Sequence, residues 1–295
     1  MSALHRHPWS IKFLDWLQSN DFDSQTTRWT RAGGTSELLE IGHLRHKRRP
    51  IVVFLHGLGN DAVFPNIDLF RQLLIAGFNI VTADLDGHGK SNTTWFAEET
   101  LPSLVSEMMG NCEAIQTSDE KVHVCGYSLG ALLVLDYAVK NPDLVKTVSL
   151  IGMPITLKSD PRIAFELLTP FVNSYRGALS DYGLSGIHPA IGPVLRSRYP
   201  LRLKPKESRP YLEVAGQIIR RMEPARLISS STLPMLYVAG SLDFIGYHPR
   251  SAKFMDDLIQ STKLRREILP GETHFSSMLS PKMPAIIADF LRNTP

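Results

Sequence analysis

The chain has 295 residues, of which 43% are hydrophobic and 21% charged, a composition typical of one large globular domain or of a core plus an insertion. Its formal net charge of +3 gives no reason to expect a nucleic-acid partner. The two cysteines, Cys112 and Cys125, are too few for a disulfide framework and show no metal-binding spacing, which indicates a reducing compartment.

Residues 1–35 are predicted to form a helical and extended N-terminal segment. No apolar run in the chain is long enough for a secretory signal or a membrane span, so we expect a cytoplasmic protein without an integral membrane segment. Trp9, Phe13, Trp16 and Leu17 recur at helical spacing and predict an amphipathic helix. That helix either packs on its own domain, or covers a lid, or makes weak contact with a membrane surface.

Strands and helices alternate along most of the remaining chain. Residues 36–43 and 50–55 are predicted strands joined by a hairpin turn that carries the basic run at 45–49. The second of these strands is apolar throughout, as in strands buried on both faces of a parallel sheet. Further strands are predicted at 79–83, 121–125, 147–151, 234–239 and 264–269, and helices at 66–76, 98–116, 129–140, 250–260 and 283–292. This order predicts an α/β fold with a mostly parallel central sheet flanked by helices.

The alternation stops after Gly152. Residues 153–231 are rich in Pro, Arg, Tyr and Ser and contain helical patches near 161–169 and 208–221. We interpret this segment as a mainly helical cap or lid, and residues 1–152 and 232–295 as the core domain.

A serine between two glycines lies where a predicted strand meets a predicted helix, in Gly126-Tyr127-Ser128-Leu129-Gly130. On so tight a turn, side chains two positions from the serine would clash with the strand and the helix, and glycine removes that clash. The pattern predicts a nucleophile elbow with the Ser128 hydroxyl at the carboxyl edge of the sheet.

A serine hydroxyl becomes nucleophilic when a base takes its proton and a carboxylate holds that base. His274 follows the last predicted strand, and Asp243 follows the strand before it, so both fall at carboxyl ends of strands. Asp84 and Asp86 also follow a strand but precede the serine, and Asp160 lies nine residues beyond its strand. We therefore predict the catalytic triad Ser128, Asp243 and His274.

Acyl transfer also needs hydrogen-bond donors for the oxyanion that forms in the transition state. The N–H of Leu129, at the start of the helix after the elbow, is one predicted donor. The other is the N–H of Leu58, in the turn His56-Gly57-Leu58-Gly59 after the strand at 50–55. His56 is next to this turn and precedes the nucleophile, and we expect it to make structural hydrogen bonds.

Together these residues resemble the α/β-hydrolase superfamily over residues 36–152 and 232–295. The matching pieces are the turn at 56–59, Asp84-Leu-Asp-Gly-His-Gly-Lys-Ser91, the elbow at 126–130, Asp243 and His274. The resemblance implies the α/β-hydrolase fold with the cap inserted after the sixth strand, and a loop-shaping rather than catalytic role for the 84–91 turn. The chain departs from the family after the acid, where Pro249 comes later than is usual.

The resemblance and the serine nucleophile together imply a serine hydrolase that cleaves a carboxylic ester, as a carboxylesterase or lipase does, through an acyl-enzyme. The family's dehalogenases and epoxide hydrolases use an aspartate at the elbow and are disfavoured by Ser128. Thioesterase, lactonase and C–C bond hydrolase activities stay open, as does a small-ligand binding protein on a hydrolase scaffold. The mechanism requires no metal or organic cofactor, and the expected partner is a small-molecule ester with an apolar group.

Overall fold

One eight-stranded sheet with helices on both faces forms the centre of the computed structural model, which describes residues 8–31, 34–45, 49–91, 101–155, 205–247, 255–256 and 264–294, with backbone alone at 8–11 and 205–212. The strands are β1 (Asp23–Arg31), β2 (Gly34–Gly42), β3 (Ile51–Leu55), β4 (Asn79–Ala83), β5 (Val122–Tyr127), β6 (Val145–Ile151), β7 (Met235–Gly240) and β8 (Leu264–Leu269). Their spatial order is β1-β2-β4-β3-β5-β6-β7-β8. β2 runs antiparallel to its neighbours β1 and β4, and the other pairs are parallel. The predicted α/β class and mostly parallel sheet are confirmed.

Helices cover both faces of this sheet. They are α1 (Pro8–Ser19), α2 (Ile67–Ile75), α3 (Leu104–Asn111), α4 (Glu113–Gln116), α5 (Leu129–Lys140), α6 (Pro205–Met222), α7 (Pro224–Ser230) and α8 (Met283–Asn293), with 3₁₀ turns at Leu101–Ser103 and Ser276–Leu279. α1, α2 and α8 pack on one face, and α3, α5, α6 and α7 on the other. Within the described ranges, no helix is both long and apolar enough to cross a bilayer.

The sequence of β3 is apolar at every position because both faces of the strand are buried. Val53 and Leu55 contribute to the hydrophobic cluster on the α5 face, while Val52 and Phe54 contribute to the cluster on the α2 face. All four side chains are fully buried. The prediction of a strand buried on both faces is therefore confirmed.

The first strand of the sheet, β1, was not predicted. Its sequence is polar, and apart from Trp29 and Arg31 its residues are half-buried or exposed. An edge strand of this kind has little hydrophobic alternation for a sequence pattern to detect.

The predicted hairpin between the strands at 36–43 and 50–55 is wrong. β2 and β3 do not pair, because β4 lies between them and pairs with both. The basic run at 45–49 therefore connects strands that are not neighbours, and its central residues 46–48 lie outside the described part of the chain.

The predicted helix at 98–116 is divided, because Cys112 has an extended conformation between α3 and α4.

α1 uses its apolar face within the domain. Phe13 and Leu17 are buried in the cluster that contains α2, and the Phe13 ring lies 6.2 Å from that of Phe70. The Arg71 guanidinium stacks over Trp16 at 5.2 Å from the ring centroid. Of the alternatives for this helix, the structure favours packing on its own domain.

The described part of the predicted cap packs on α5. Ile218 of α6 and Ile228 of α7 are fully buried in the same cluster as the α5 side chains. The helical patch predicted at 161–169 and most of the helix predicted at 250–260 lie outside the described residues. The division into core and cap, with a boundary near 231, stays a prediction.

A buried histidine on β5 makes stability depend on pH. His123 is 2% exposed, and burial lowers its pKa from 6.5 to about 4. Between these values the unfolded chain binds a proton that the folded chain excludes, so stability falls as pH drops from about 6.5 to about 4, by up to about 1.4 kcal/mol per pH unit for this group. Urea unfolding at several pH values measures this slope, and His123→Gln should lower it by the contribution of one proton per chain. The same substitution at the half-buried His43 serves as control. An unaltered slope in His123→Gln would contradict the assignment.

Candidate active site

Ser128 occupies a strained turn between β5 and α5. Its φ is 53° and its ψ −118°, values that a non-glycine residue rarely adopts. A Cβ at position 126 would lie 2.5 Å from the Gly130 carbonyl carbon, and a Cβ at 130 would overlap the carbonyl oxygens of Leu55 and His56. The structure therefore contains the tight turn that the sequence predicts, and both glycines are sterically required.

Gly130→Ala should destabilise the protein by about 1–3 kcal/mol or more, because its methyl group would overlap the backbone of Leu55 and His56 at the end of β3. The matched control is Gly110→Ala on α3, where a Cβ meets nothing within 4 Å. That change should be neutral or stabilising by up to about 1 kcal/mol. Urea unfolding measures both, and equal stability of the two variants would refute the steric argument.

Ser128, His274 and Asp243 form a continuous hydrogen-bonded chain. His274 Nε2 lies 2.9 Å from Ser128 Oγ, and His274 Nδ1 lies 3.0 Å from Asp243 Oδ1. Asp243 is fully buried and His274 is 3% exposed. Asp243 follows β7 and His274 follows β8, so the three side chains meet at the carboxyl edge of the sheet as the sequence predicts. With Nδ1–H facing the carboxylate, Nε2 is the nitrogen that accepts from the serine hydroxyl.

The turn after Asp243 wraps around its carboxylate. Oδ1 accepts hydrogen bonds from the N–H groups of Ile245 (3.1 Å) and Gly246 (2.6 Å) as well as facing His274. Oδ2 is buried and has no hydrogen-bond partner among the described residues. A Cβ at Gly246 would lie 2.7 Å from Oδ2, so the backbone packs directly on the carboxylate. Residues 244–246 thus enclose the acid closely, whereas Pro249 lies outside the described residues.

The loop that carries His274 is held through the carbonyl of that residue. The Tyr127 hydroxyl donates to His274 O at 3.0 Å, and Ser277 Oγ donates to the same oxygen at 2.8 Å. The Phe275 ring lies perpendicular to the imidazole, with centroids 5.2 Å apart. Neither residue could be assigned this role from the sequence, because a hydrogen bond from Tyr127 across 147 residues leaves no local pattern and Ser277 belongs to no motif.

The two predicted oxyanion donors belong to segments on either side of Ser128. Leu129 is the first residue of α5, and an N–H in the first turn of a helix has no acceptor within that helix. Leu58 follows Gly57, whose backbone packs so closely that a Cβ there would lie 3.0 Å from Ser128 Cβ. Their role as oxyanion donors stays a prediction.

The loop that contains Leu58 is braced by the turn at 84–91. His56 Nε2 accepts from Leu85 N–H at 2.9 Å, and its Nδ1 lies 2.8 Å from Gly57 O, which confirms the structural role predicted for His56.

His88 Nε2 accepts from Gly59 N–H at 3.0 Å, and burial lowers the His88 pKa to about 4, which keeps the ring neutral and able to accept at neutral pH. Asp84 accepts from Ala62 N–H and Lys90 N–H, both at 2.7 Å. The turn at 84–91 therefore shapes the loop that contains Leu58, and none of these hydrogen bonds involves Ser128.

The rival acids have other partners or lie outside the described residues. Asp84 is used by backbone N–H groups, and Asp86 Oδ1 lies 3.1 Å from Nε of the buried Arg31. Asp160 belongs to the segment 156–204, which the structure does not describe. Across the described ranges, no three His, Cys, Asp or Glu side chains are grouped so that they could hold a metal ion.

The fold and this arrangement place the protein among the α/β-hydrolases. A family model described as serine aminopeptidase, S33, matches residues 46–276, and the chain belongs to this family. Among solved structures, a 2-hydroxy-6-oxo-6-phenylhexa-2,4-dienoate hydrolase from Rhodococcus sp. strain RHA1 is similar with a TM-score of 0.63 and 18% identity, over 92% of this chain and 99% of that one. At that identity the likeness concerns the fold alone.

Curated relatives match over shorter segments. The (E)-2-((N-methylformamido)methylene)succinate hydrolase of Acinetobacter baylyi is 30% identical over 104 residues, which are 34% of this chain and 36% of that protein. The pimeloyl-[acyl-carrier protein] methyl ester esterase of Aeromonas salmonicida is 32% identical over 131 residues, which are 43% of this chain and 48% of that protein. The chain thus spans between about a third and a half of the length of these relatives.

Proposed function

We propose that this protein is a serine hydrolase that cleaves a small carboxylic ester through an acyl-enzyme. The observation that carries the proposal is the hydrogen-bonded chain from Ser128 through His274 to Asp243, with distances of 2.9 and 3.0 Å. This is the geometry in which an imidazole takes the proton of a serine hydroxyl while a buried carboxylate orients the ring.

In the first step, Ser128 Oγ attacks the acyl carbonyl as its proton passes to His274 Nε2. The imidazolium that forms is stabilised by the Asp243 carboxylate at Nδ1. The negative charge that develops on the carbonyl oxygen is stabilised by the N–H groups of Leu58 and Leu129, each worth about 3–4 kcal/mol of the barrier.

The first half of the reaction ends with His274 acting as the general acid. His274 gives its proton to the leaving alcohol, and the acyl group remains on Ser128. In the second half, water enters and attacks the acyl carbon while His274 removes its proton. His274 then gives that proton to Ser128 Oγ as the bond to the acyl group breaks and the acid is released. Each proton is held by His274 Nε2 in turn, so the sequence needs no metal or organic cofactor.

The described surroundings support a substrate with an apolar group. Phe275 is next to His274, and Ile245 is two residues from Asp243. With Phe64 they form a separate buried apolar cluster, and the half-buried Phe244 and Leu279 pack against it. Apolar walls with few polar groups are typical of small-molecule sites. The methyl ester esterase among the relatives agrees with an ester substrate.

We further propose that residues 153–231 form the cap over this site. The chain leaves β6 beside the catalytic residues, since a Cβ at Gly152 would lie 3.2 Å from His274 Nδ1 and 3.1 Å from Asp243 Oδ2. A segment that begins at this point is well placed to cover the carboxyl edge of the sheet.

A substrate panel tests the reaction class. It contains p-nitrophenyl esters of increasing acyl length, a thioester, a lactone, a diketone that tests carbon–carbon bond hydrolysis, and an aminoacyl anilide. The anilide is included because the family is named for aminopeptidases. Preference for esters, with kcat/KM rising with acyl length, is the expected result. Highest kcat/KM on any other class would replace the ester assignment by that class.

Labelling separates an enzyme from a binding protein. A fluorophosphonate probe should label one residue, and peptide mapping should place the label on Ser128. Slow labelling and no turnover of any substrate, with thermal stabilisation by a small ligand, would instead indicate a binding protein on this scaffold.

A further inference from the structure

A buried tyrosine lies beneath the proposed catalytic acid. Tyr237 is on β7, six residues before Asp243, and its side chain is fully buried. Its hydroxyl lies 2.6 Å from Gly246 O and 3.1 Å from Met153 O. The single hydroxyl proton therefore lies between two carbonyl oxygens and is nearer to that of Gly246.

These two carbonyls belong to the two segments that enclose Asp243. Gly246 is in the turn after β7, and its N–H donates to Asp243 Oδ1 at 2.6 Å. Met153 follows Gly152, the residue after β6, where a Cβ would lie 3.1 Å from Asp243 Oδ2. Tyr237 thus joins both walls of the carboxylate site from below.

The backbone of Gly246 connects Tyr237 to the acid. Its carbonyl accepts from Tyr237 while its N–H donates to the carboxylate oxygen that faces His274. The N–H and the carbonyl of Gly246 belong to the two peptide units that meet at its Cα, so these hydrogen bonds restrain both units and hold the backbone of this residue in place. Burial and the nearby Asp243 charge raise the pKa of Tyr237 well above 10, so the hydroxyl stays a neutral donor throughout the working pH range.

We propose that Tyr237 is a positioning residue that acts through the backbone of Gly246 to hold Asp243 in line with His274 Nδ1. The inference rests on the proposed function, since it concerns the acid of that same site. Tyr237 touches neither the substrate nor the reacting atoms. Tyr237 affects the rate by positioning Asp243, which stabilises the His274 imidazolium that forms only during the reaction.

The test is Tyr237→Phe, which removes one oxygen atom and keeps the ring. Rates are normalised by fluorophosphonate titration, so that only folded enzyme is counted. We expect kcat to fall about three- to tenfold, the value of one ordinary hydrogen bond, with KM changed by less than about twofold. The matched control is Tyr137→Phe, another buried tyrosine, more than two turns along α5 from Ser128, which should leave kcat unchanged.

A double-mutant cycle separates positioning from general destabilisation. If Tyr237 acts through Asp243, then Tyr237→Phe should change kcat by less than about twofold when Asp243 is already Asn. A fall as large as in the wild-type background, or wild-type kcat in the single variant, would overturn the inference and leave the proposed function intact. Turnover retained by Ser128→Ala would instead overturn the proposed function, and this inference with it.

Discussion

Ser128→Ala is expected to lower kcat for ester hydrolysis by about 10⁶-fold, because it removes the atom that attacks the carbonyl. Backbone donors and substrate binding alone leave a residual acceleration of about 10³–10⁴ over water. Fluorophosphonate labelling should be lost entirely. The melting temperature should stay close to that of the wild type, since alanine keeps the backbone and loses a single hydroxyl.

The matched control for this variant is Ser149→Ala. Ser149 lies on β6 and is fully buried, and within the described part of the chain its hydroxyl has no hydrogen-bond partner. Its removal should leave both turnover and labelling unchanged and be close to neutral for stability. Turnover by Ser128→Ala above that residual level, measured after active-site titration excludes wild-type contamination, would refute Ser128 as the nucleophile.

Asp243→Asn should lower kcat by about 10⁴-fold with a much smaller change in KM. The amide oxygen of Asn can still accept from Ile245 and Gly246, which keeps these two hydrogen bonds of the turn. The negative charge is lost, however, and nothing then offsets the imidazolium of His274. Steady-state kinetics on the best ester of the panel measures both constants, and fluorophosphonate labelling of Ser128 should slow in parallel.

Asp160→Asn is the control that compares the two candidate acids. Asp160 is the rival after the strand at 147–151 and lies outside the described residues. If Asp243 is the acid, Asp160→Asn should keep kcat near the wild-type value. The opposite pattern, with Asp160→Asn inactive and Asp243→Asn active, would reassign the acid.

Much of the fold could be predicted because the parallel strands carry their own pattern. Ile51–Leu55 is apolar at every position, and the structure buries it on both faces. The pattern failed at Asp23–Arg31, an edge strand with two buried residues, which pairing with its neighbour rather than its own sequence makes a strand. It failed again at the turn 45–49, because short sequence separation suggested pairing of two strands that β4 keeps apart.

The sequence by itself determined the elbow at 126–130 and the candidates Asp243 and His274. These depend on local spacing and on position after a strand, both of which are visible along the chain. Only the tertiary structure decided that His274 lies within hydrogen-bonding distance of both Ser128 and Asp243, across 146 and 31 residues of chain.

The tertiary structure alone also provided the supports of these residues. Tyr127 holds His274 across 147 residues, and Tyr237 reaches Met153 across 84. Hydrogen bonds between residues so distant leave no periodicity and no motif, and a tyrosine on a buried strand has the same sequence signature whether its hydroxyl holds a loop or fills space. The physical reason is that a sequence shows which residue types are available for a reaction. The relative positions of their side chains depend on packing, which exists only once the sheet has formed.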